Sequence, residues 1–259
     1  MDIREVIREH EDSLHEQCIS LALDLEKNLQ QLEKPGYKRK WSREKEVEVN
    51  LIHPILRTLG WDPRETDDYS IEVQYTVERS RPDFILLHRR KPVFAVEAKG
   101  LGKIKLDRNL HKQLWRFFHT CEFIVLTDGF LWFLFDRKAF PTPRWFIDIR
   151  EDDLNYCSNL LVALSSTLTK ITPYQAIDYG MNRAEFYETD LVLRKLDSLM
   201  GNWNPLQYII EAMSMKIYPM FTDEKHKVSR TKIQEIIRNY YGGDILDELT
   251  TFIKLEHEE

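Results

Sequence analysis

The sequence predicts an α/β protein: a long N-terminal helix, then a core of helix, three strands, helix and two strands, then a helical C-terminal region. Three observations carry that reading. Apolar residues recur at three- and four-residue steps through the first 32 residues, the spacing of one helix face. Short apolar runs bounded by turn signals follow between residues 69 and 135, the pattern of strands and hairpins. Past about residue 152 helical periodicity returns without strands. At 259 residues the chain suits one large domain or two modest ones, against a usual size of about 150 residues. The expected divisions are 1–40, an N-terminal helix and basic linker; 41–150, the α/β core; and 151–259, the helical region.

Residues 3–32 read as one amphipathic helix because Ile7, Leu14, Cys18, Leu21, Leu25 and Leu32 share a stripe with charges between them, and Pro35-Gly36 ends it. The stripe either packs on its own domain or joins two copies as a coiled-coil seam. After the basic linker 34–40, Ser42 is placed to cap a second helix over 43–59. Leu51, Ile52, Ile55, Leu56 and Leu59 form its apolar face, and Gly60 is placed to stop it. Glu44 and Glu48 lead into that face, where acids are either solvated or complement the helix dipole. Strands over 69–77, 83–88 and 93–99 follow, the last two joined as a hairpin by Arg89, Arg90, Lys91 and Pro92. After Gly100 and Gly102 a helix is expected over 105–120. Strands over 123–127 and 130–135 flank Asp128-Gly129, a strong two-residue hairpin signal. An extended piece over 145–149 is placed to close the sheet edge. Helices over 154–168, 191–200, 206–215 and 231–241, with a continuation over 244–253, complete the third region. No internal repeat of fixed period appears, which excludes a solenoid.

With 42% hydrophobic and 31% charged residues the chain has material for a core, which excludes disorder and low-complexity polymers. The longest apolar run, residues 130–135, is far short of the roughly 18 a membrane-spanning helix needs, and the first residues are too charged for a secretory signal. A soluble, cytoplasmic protein with no membrane partner is therefore expected. Cys18, Cys121 and Cys157 are odd in number and widely spaced, and read as packing residues. The net charge of −6 conceals a basic island: residues 81–112 hold nine Lys or Arg against three acids, a local +6 that leaves −12 for the remainder. That island marks where an anion would dock.

The chemistry centres on the hairpin. Asp83 heads one strand and Glu97-Ala98-Lys99 ends the next, with residues 84–96 between them. Side chains alternate faces along a strand, so Glu97 and Lys99 project together, and the hairpin brings Asp83 to them. Converging carboxylates, completed by the carbonyl of Ala98, are oxygen ligands for a hard cation such as Mg²⁺ or Mn²⁺. An ammonium at Lys99 can orient an attacking water and neutralise charge building on a phosphate. Without a cation two such acids would repel each other and be costly to bury.

In their order these residues resemble the PD-(D/E)XK nuclease superfamily, and most closely the N-terminal nuclease domain of type I restriction enzyme R subunits and their free-standing relatives. The matching text is Glu44, then Leu51-Ile52-His53-Pro54-Ile55-Leu56, Leu59-Gly60-Trp61-Asp62, Arg81-Pro82-Asp83 and VFAVEAK from Val93 to Lys99. It continues with Gln113 and Phe117, then Leu126-Thr127-Asp128-Gly129 and Trp132, covering about residues 43–136. The resemblance implies a restriction-endonuclease-like core over 41–150, with Asp83 and Glu97 as metal ligands and Lys99 as the catalytic cation. Glu44 would be the helical carboxylate reaching the metal through water, with Glu48 in reserve. Gln113 fits the family's glutamine, whereas Phe117 lacks the hydroxyl of the usual tyrosine. Asp128 stands where asparagine is common, at a turn position where either tolerates positive φ. The implied activity is Mg²⁺- or Mn²⁺-dependent phosphodiester hydrolysis, an endonuclease of restriction or defence type with DNA favoured over RNA. The alternative is a catalytically silent nuclease-fold protein serving as a nucleic-acid-binding or scaffold subunit.

Lys103, Lys105, Arg108 and Lys112 lie just downstream of Lys99, Arg108 and Lys112 one helical turn apart, as a line of phosphate contacts or else a solvated helix face. His53, His88, His111 and His119 make no metal-ligand spacing, and Trp41, Trp61, Trp115 and Trp132 read as core. No GxxxxGK[ST] loop is present, so a motor or specificity subunit would be a separate chain. A homodimer, through the N-terminal helix or the C-terminal helices, stays open as an assembly.

Overall fold

Helix α1, Ile3–Leu32, covers the span its apolar spacing predicts. The computed structural model describes residues 3–61, 69–73, 81–200 and 235. Val6, Leu14, Cys18, Leu21 and Leu25 of α1 are buried, packed against α4 (His53–Thr58) and α6 (Leu154–Leu161). The stripe that would serve a coiled-coil dimer is thus covered by the chain's own core. The basic linker contains a short helix, α2 (Tyr37–Trp41), set off by Gly36 at φ 77°.

The second expected helix is not continuous. It runs as α3 (Glu44–Val47), a π-helical segment Glu48–Ile52 and then α4. Pro54 accounts for the break: it has no amide to donate back along the ladder, and the amide of His53 bonds instead to the carbonyl of Glu48, five residues back. Asn28 on α1 donates to the Leu51 carbonyl at 3.2 Å, adding a buried hydrogen bond to the interrupted stretch. Ser42 does not cap this helix; Arg43 holds the N-cap position without a side-chain bond, and the Ser42 hydroxyl donates to the Arg39 carbonyl.

Among the described residues six strands follow in sheet order β1 to β6: β1 (Tyr69–Val73), β2 (Phe84–His88), β3 (Lys91–Ala98), β4 (Phe123–Thr127), β5 (Leu131–Asp136) and β6 (Pro143–Asp148). Neighbours are antiparallel except β3 and β4, which are parallel and joined by α5 (Arg108–Phe117). The β2–β3 turn is tighter than expected. Only Arg89 and Arg90 make it, both at positive φ, while Lys91 and Pro92 enter the strand beside an irregularity in register where a proline is tolerated. Asp128 is not the positive-φ residue of the β4–β5 turn; Gly129 is, at φ 87°. Asp128 instead accepts from the amides of Phe130 and Leu131.

Past the sheet, the helix expected over 154–168 breaks at Ser165, whose hydroxyl accepts from the Thr167 amide. The next helix, α7 (Pro173–Met200), begins well before residue 191. Its early buried face is built partly from small residues, with Gly180 against Ala163 at a distance that leaves no room for a methyl group, so hydropathy under-reports it. The helices expected over 206–215 and, apart from Glu235, over 231–241, the continuation over 244–253 and part of the strand expected over 69–77 lie outside the described residues. Among the described residues no helix is long and apolar enough to cross a membrane.

The result is three layers. One core joins Phe84, Leu86, Phe94, Val96, Val125 and Trp132 of the sheet to α1, α4, α6 and α7. The other joins Ile85, Ala95, Ile124 and Leu126 to Leu110, Leu114 and Phe117 of α5. Because Leu21 is wholly buried in the first, Leu21→Asp places an unpaired charge there. Loss of the cooperative melt and of helical circular dichroism is expected. A parent-like melt with only a changed mass in light scattering would place the seam between copies instead.

Candidate active site

Register sets the first half of the site. Phe84 pairs with Val96, so one further step places Asp83 opposite Glu97 and on the same face. Odd-numbered neighbours Ile85 and Ala95 identify that face as the one α5 covers. The amide of Ala98 donates to Asp83 Oδ2 at 2.7 Å, fixing the carboxylate across the strands. The Lys99 amide bonds to the Thr127 carbonyl at 2.8 Å, which carries the β3–β4 ladder past the end of the strand.

Glu97 is only 3% exposed. Its Oε1 accepts from the ammonium of Lys99 and from Gln113 Nε2 of α5, the latter at 2.6 Å. Its Oε2 is buried without a hydrogen-bond partner among the described residues. Lys99 also donates to the Ala98 carbonyl at 2.9 Å, the group expected to be a metal ligand. Lys99 therefore ties together Glu97, Ala98 and, at 3.6 Å, Glu44.

The other half arrives from the opposite layer. Glu44, Glu48 and Asp83 each offer a carboxylate oxygen within 4.8 Å of the others. Glu97 is not a member of that group, so the acidic cluster and the predicted pair of Asp83 and Glu97 overlap at Asp83 alone. Glu44, the helical carboxylate first in the reading, is 44% exposed; Glu48, held in reserve, is buried and accepts from Lys45 at 2.7 Å. Two close approaches lock this layer to the strands. A methyl on Gly129 would lie 2.8 Å from Leu51, and one on Gly100 would lie 2.5 Å from the Ser42 carbonyl oxygen. The Leu101 amide bonds to the Trp41 carbonyl, and Asp128 Oδ2 accepts from the Gly102 amide at 3.0 Å.

Burial, with the charges of Glu44 and Glu48 adding to it, pushes the Asp83 carboxyl up to about 6 against the opposing pull of the Ala98 amide and Lys99. Burial and the Asp83 charge push Glu97 up to about 7 although Lys99 pulls the other way. For Lys99 burial opposes the charge, but the surrounding carboxylates prevail and raise it, so the side chain stays an ammonium. Glu44, Glu48 and Asp83 form an acidic cluster with oxygen donors that could hold a metal ion, and the unpartnered oxygen of Glu97 belongs to the residue opposite Asp83.

The remaining predicted residues divide. Gln113 is in the site. Lys103 and Lys105 are exposed on the loop before α5, and Arg108 and Lys112 are exposed on α5, outside the carboxylate cluster. Phe117 is wholly buried core. Trp41, Trp61 and Trp132 are buried as expected, but Trp115 is 47% exposed. The signal for it was in the helix period: with Leu110, Leu114 and Phe117 inward, position 115 falls off the apolar stripe. The three cysteines are buried and free, as packing residues should be. No protein-family model, curated protein or solved structure matches the chain.

The raised carboxyls make stability depend on pH. Asp83 and Glu97 bind protons more tightly folded than unfolded, so their stabilising effect is complete below the ordinary carboxyl range and is lost as pH rises through about 6 and 7. The melting temperature of metal-free protein should fall between about pH 4 and pH 8, at about 2–4 °C for each kcal/mol lost. Mn²⁺ should restore it, and the double variant Asp83→Asn, Glu97→Gln should flatten the fall. A parent profile indistinguishable from that of the double variant would refute the arrangement. Calorimetry gives a second readout: Mn²⁺ should bind the parent and lose affinity in either single variant.

Proposed function

We propose that the chain is a divalent-metal-dependent nuclease that hydrolyses phosphodiester bonds, a restriction- or defence-type endonuclease built on a restriction-endonuclease-like core, with DNA favoured over RNA. The observation that carries the reading is the buried Glu97, held by Lys99 and Gln113 with one oxygen unpartnered, beside Asp83, Glu44 and Glu48. These are the residues that give the sequence its likeness to PD-(D/E)XK nucleases. Asp83 and Glu97, supported by Glu44 or Glu48, would hold Mg²⁺ or Mn²⁺. A cation there supplies Lewis-acid chemistry to the phosphate and offsets the negative charge of the acids.

The protein's own groups do the rest. In hydrolysis a water oxygen forms a bond to phosphorus as a bridging P–O bond breaks, and negative charge grows on the non-bridging oxygens. Lys99 uses two of its N–H groups on Glu97 and Ala98, leaving one donor for such an oxygen. Because it stays charged, its role is electrostatic and not that of a base. Gln113 is a positioning residue: its bond to Glu97 Oε1 sets which oxygen of that carboxylate is left for the cation. Lys103 and Lys105 extend positive charge from the end of β3, where a phosphate backbone can lie.

Incubation with supercoiled and linear DNA in Mg²⁺, Mn²⁺ or EDTA tests the reading. Cleavage should require the cation and vanish in Glu97→Gln. Lys99→Ala should bind Mn²⁺ like the parent but cleave about 10²–10³ times more slowly in single turnover. Nucleic acid bound but uncut under every cation would make the chain a silent nuclease-fold subunit instead. Charge removal at both Lys103 and Lys105 should weaken duplex binding for all sequences alike and flatten the slope of log K against log salt by up to about 2. An unchanged slope would mean that DNA enters elsewhere.

A further inference from the structure

Helix α5 turns Leu110, Leu114 and Phe117 to the sheet and Gln113 to Glu97, and presents its other side outward. On that outer surface stands Trp115, half exposed although tryptophan has more apolar area to gain from burial than almost any residue. Its indole rests against Phe118 and Phe140, each at 5.8 Å between ring centroids, so the ring is braced from one side and open on the other. Arg108, Lys112 and Arg116 follow one another at four-residue steps along the same surface. None of the three makes an ion pair among the described residues. With His111 and Phe140 these residues line a shallow groove of about 550 Å³. From Arg108 to Trp115 it covers about 10 Å of helix axis, at 1.5 Å per residue. Gln113, on the same helix, reaches Glu97, so the groove and the carboxylates are joined by one rigid element.

A row of unpaired cations and an open aromatic ring are two different recognition elements. The cations hold phosphates whatever the sequence. A duplex supplies phosphates but keeps its base faces stacked inside, where the indole cannot reach them. An unpaired strand supplies both, since every base has a face to stack. We infer that the outer groove of α5 binds single-stranded nucleic acid, one base stacking on Trp115 and the backbone held by Arg108, Lys112 and Arg116. The strand leads toward the carboxylates at the end of β3, a direction that rests on the nuclease reading; the binding itself does not.

Fluorescence anisotropy with labelled oligothymidine and with a duplex of equal length tests this, in EDTA so that nothing is cut. Trp115→Ala should weaken single-strand binding about tenfold or more and change duplex binding less than about twofold. Trp115→Phe, which keeps a stacking ring, should retain most of the affinity, and circular dichroism should show both variants folded. Replacing Arg108 and Lys112 together by glutamine should lower the salt slope on the single strand by about 1.4. The inference is overturned if Trp115→Ala binds the single strand as the parent does, if duplex affinity falls equally, or if the parent binds neither oligonucleotide. Parent protein that binds through Trp115 yet cuts nothing in Mg²⁺ or Mn²⁺ upholds the groove and removes the nuclease. Cleavage by a protein whose single-strand affinity ignores Trp115 does the reverse.

Discussion

A carboxylate buried at the end of the parallel β3–β4 junction is the constraint on which the site depends. Glu97 lies on β3 between Val96 and Ala98, neither of which has any exposure, and β3 is paired on both sides, so the backbone cannot move the charge toward water. An ion in such a place costs several kcal/mol unless it is paired and hydrogen-bonded. Lys99 and Gln113 meet part of that cost on one oxygen. The register of β2 then adds to it by placing Asp83 opposite. A fold selected only for stability would fill these positions with neutral residues. Two acids stand there all the same: burial and the charges of Glu44 and Glu48 drive Asp83 up, and burial and the Asp83 charge drive Glu97 up, the kind of perturbation that marks a candidate site.

The second set of acids comes from the other side of the sheet, and its placement depends on contacts that leave no slack. The β4–β5 turn touches both layers. Gly129 packs on Leu51 of the π segment, and Asp128 of the same turn accepts from Gly102 on the loop that follows Lys99. Gly100 meets the Ser42 carbonyl just before α3. Displacing either glycine's neighbour would move Glu44 and Glu48 relative to Asp83, and a misplacement of about 1 Å is enough to spoil a catalytic or ligating geometry. The π segment belongs to the same arrangement, since it changes the rotation by which Glu48 and Leu51 leave the helix.

Much of this could be read from the sequence, and the exceptions have physical causes. The bounds of α1 follow from one uninterrupted stripe. The strands around Asp83 and Glu97 follow from apolar runs closed by turns, and side-chain alternation was enough to bring Asp83, Glu97 and Lys99 together. Gln113 came from family likeness, not from period. What escaped depended on competition between local signals. Pro54 sat inside a convincing apolar face and was overridden by it, although its missing amide breaks the helix. Ser42 had the chemistry of a cap but spent its hydroxyl on Arg39. The early part of α7 was hidden because close packing of Gly180 on Ala163 calls for small residues, which carry little hydropathy. Trp115 reads as core by residue type, whereas the helix period places it outside, where it stands.

The distribution of charge links the two faces of α5. Carboxylates crowd one end of the sheet, while Lys103 and Lys105 of the 81–112 island lie on the loop before α5, and Arg108 and Lys112 on its outer surface. A phosphate approaching the acids directly would be repelled, so cations on the rim cannot alone bring a polyanion into contact with them. Neutralisation has to occur at the centre as well, and Lys99 is already committed to Glu97 and Ala98. On the proposed reading a divalent ion removes the repulsion while the rim cations supply attraction from farther out. Neither suffices without the other: the rim without the ion holds a strand short of the acids, and the ion without the rim leaves an acidic chain with little to draw nucleic acid in.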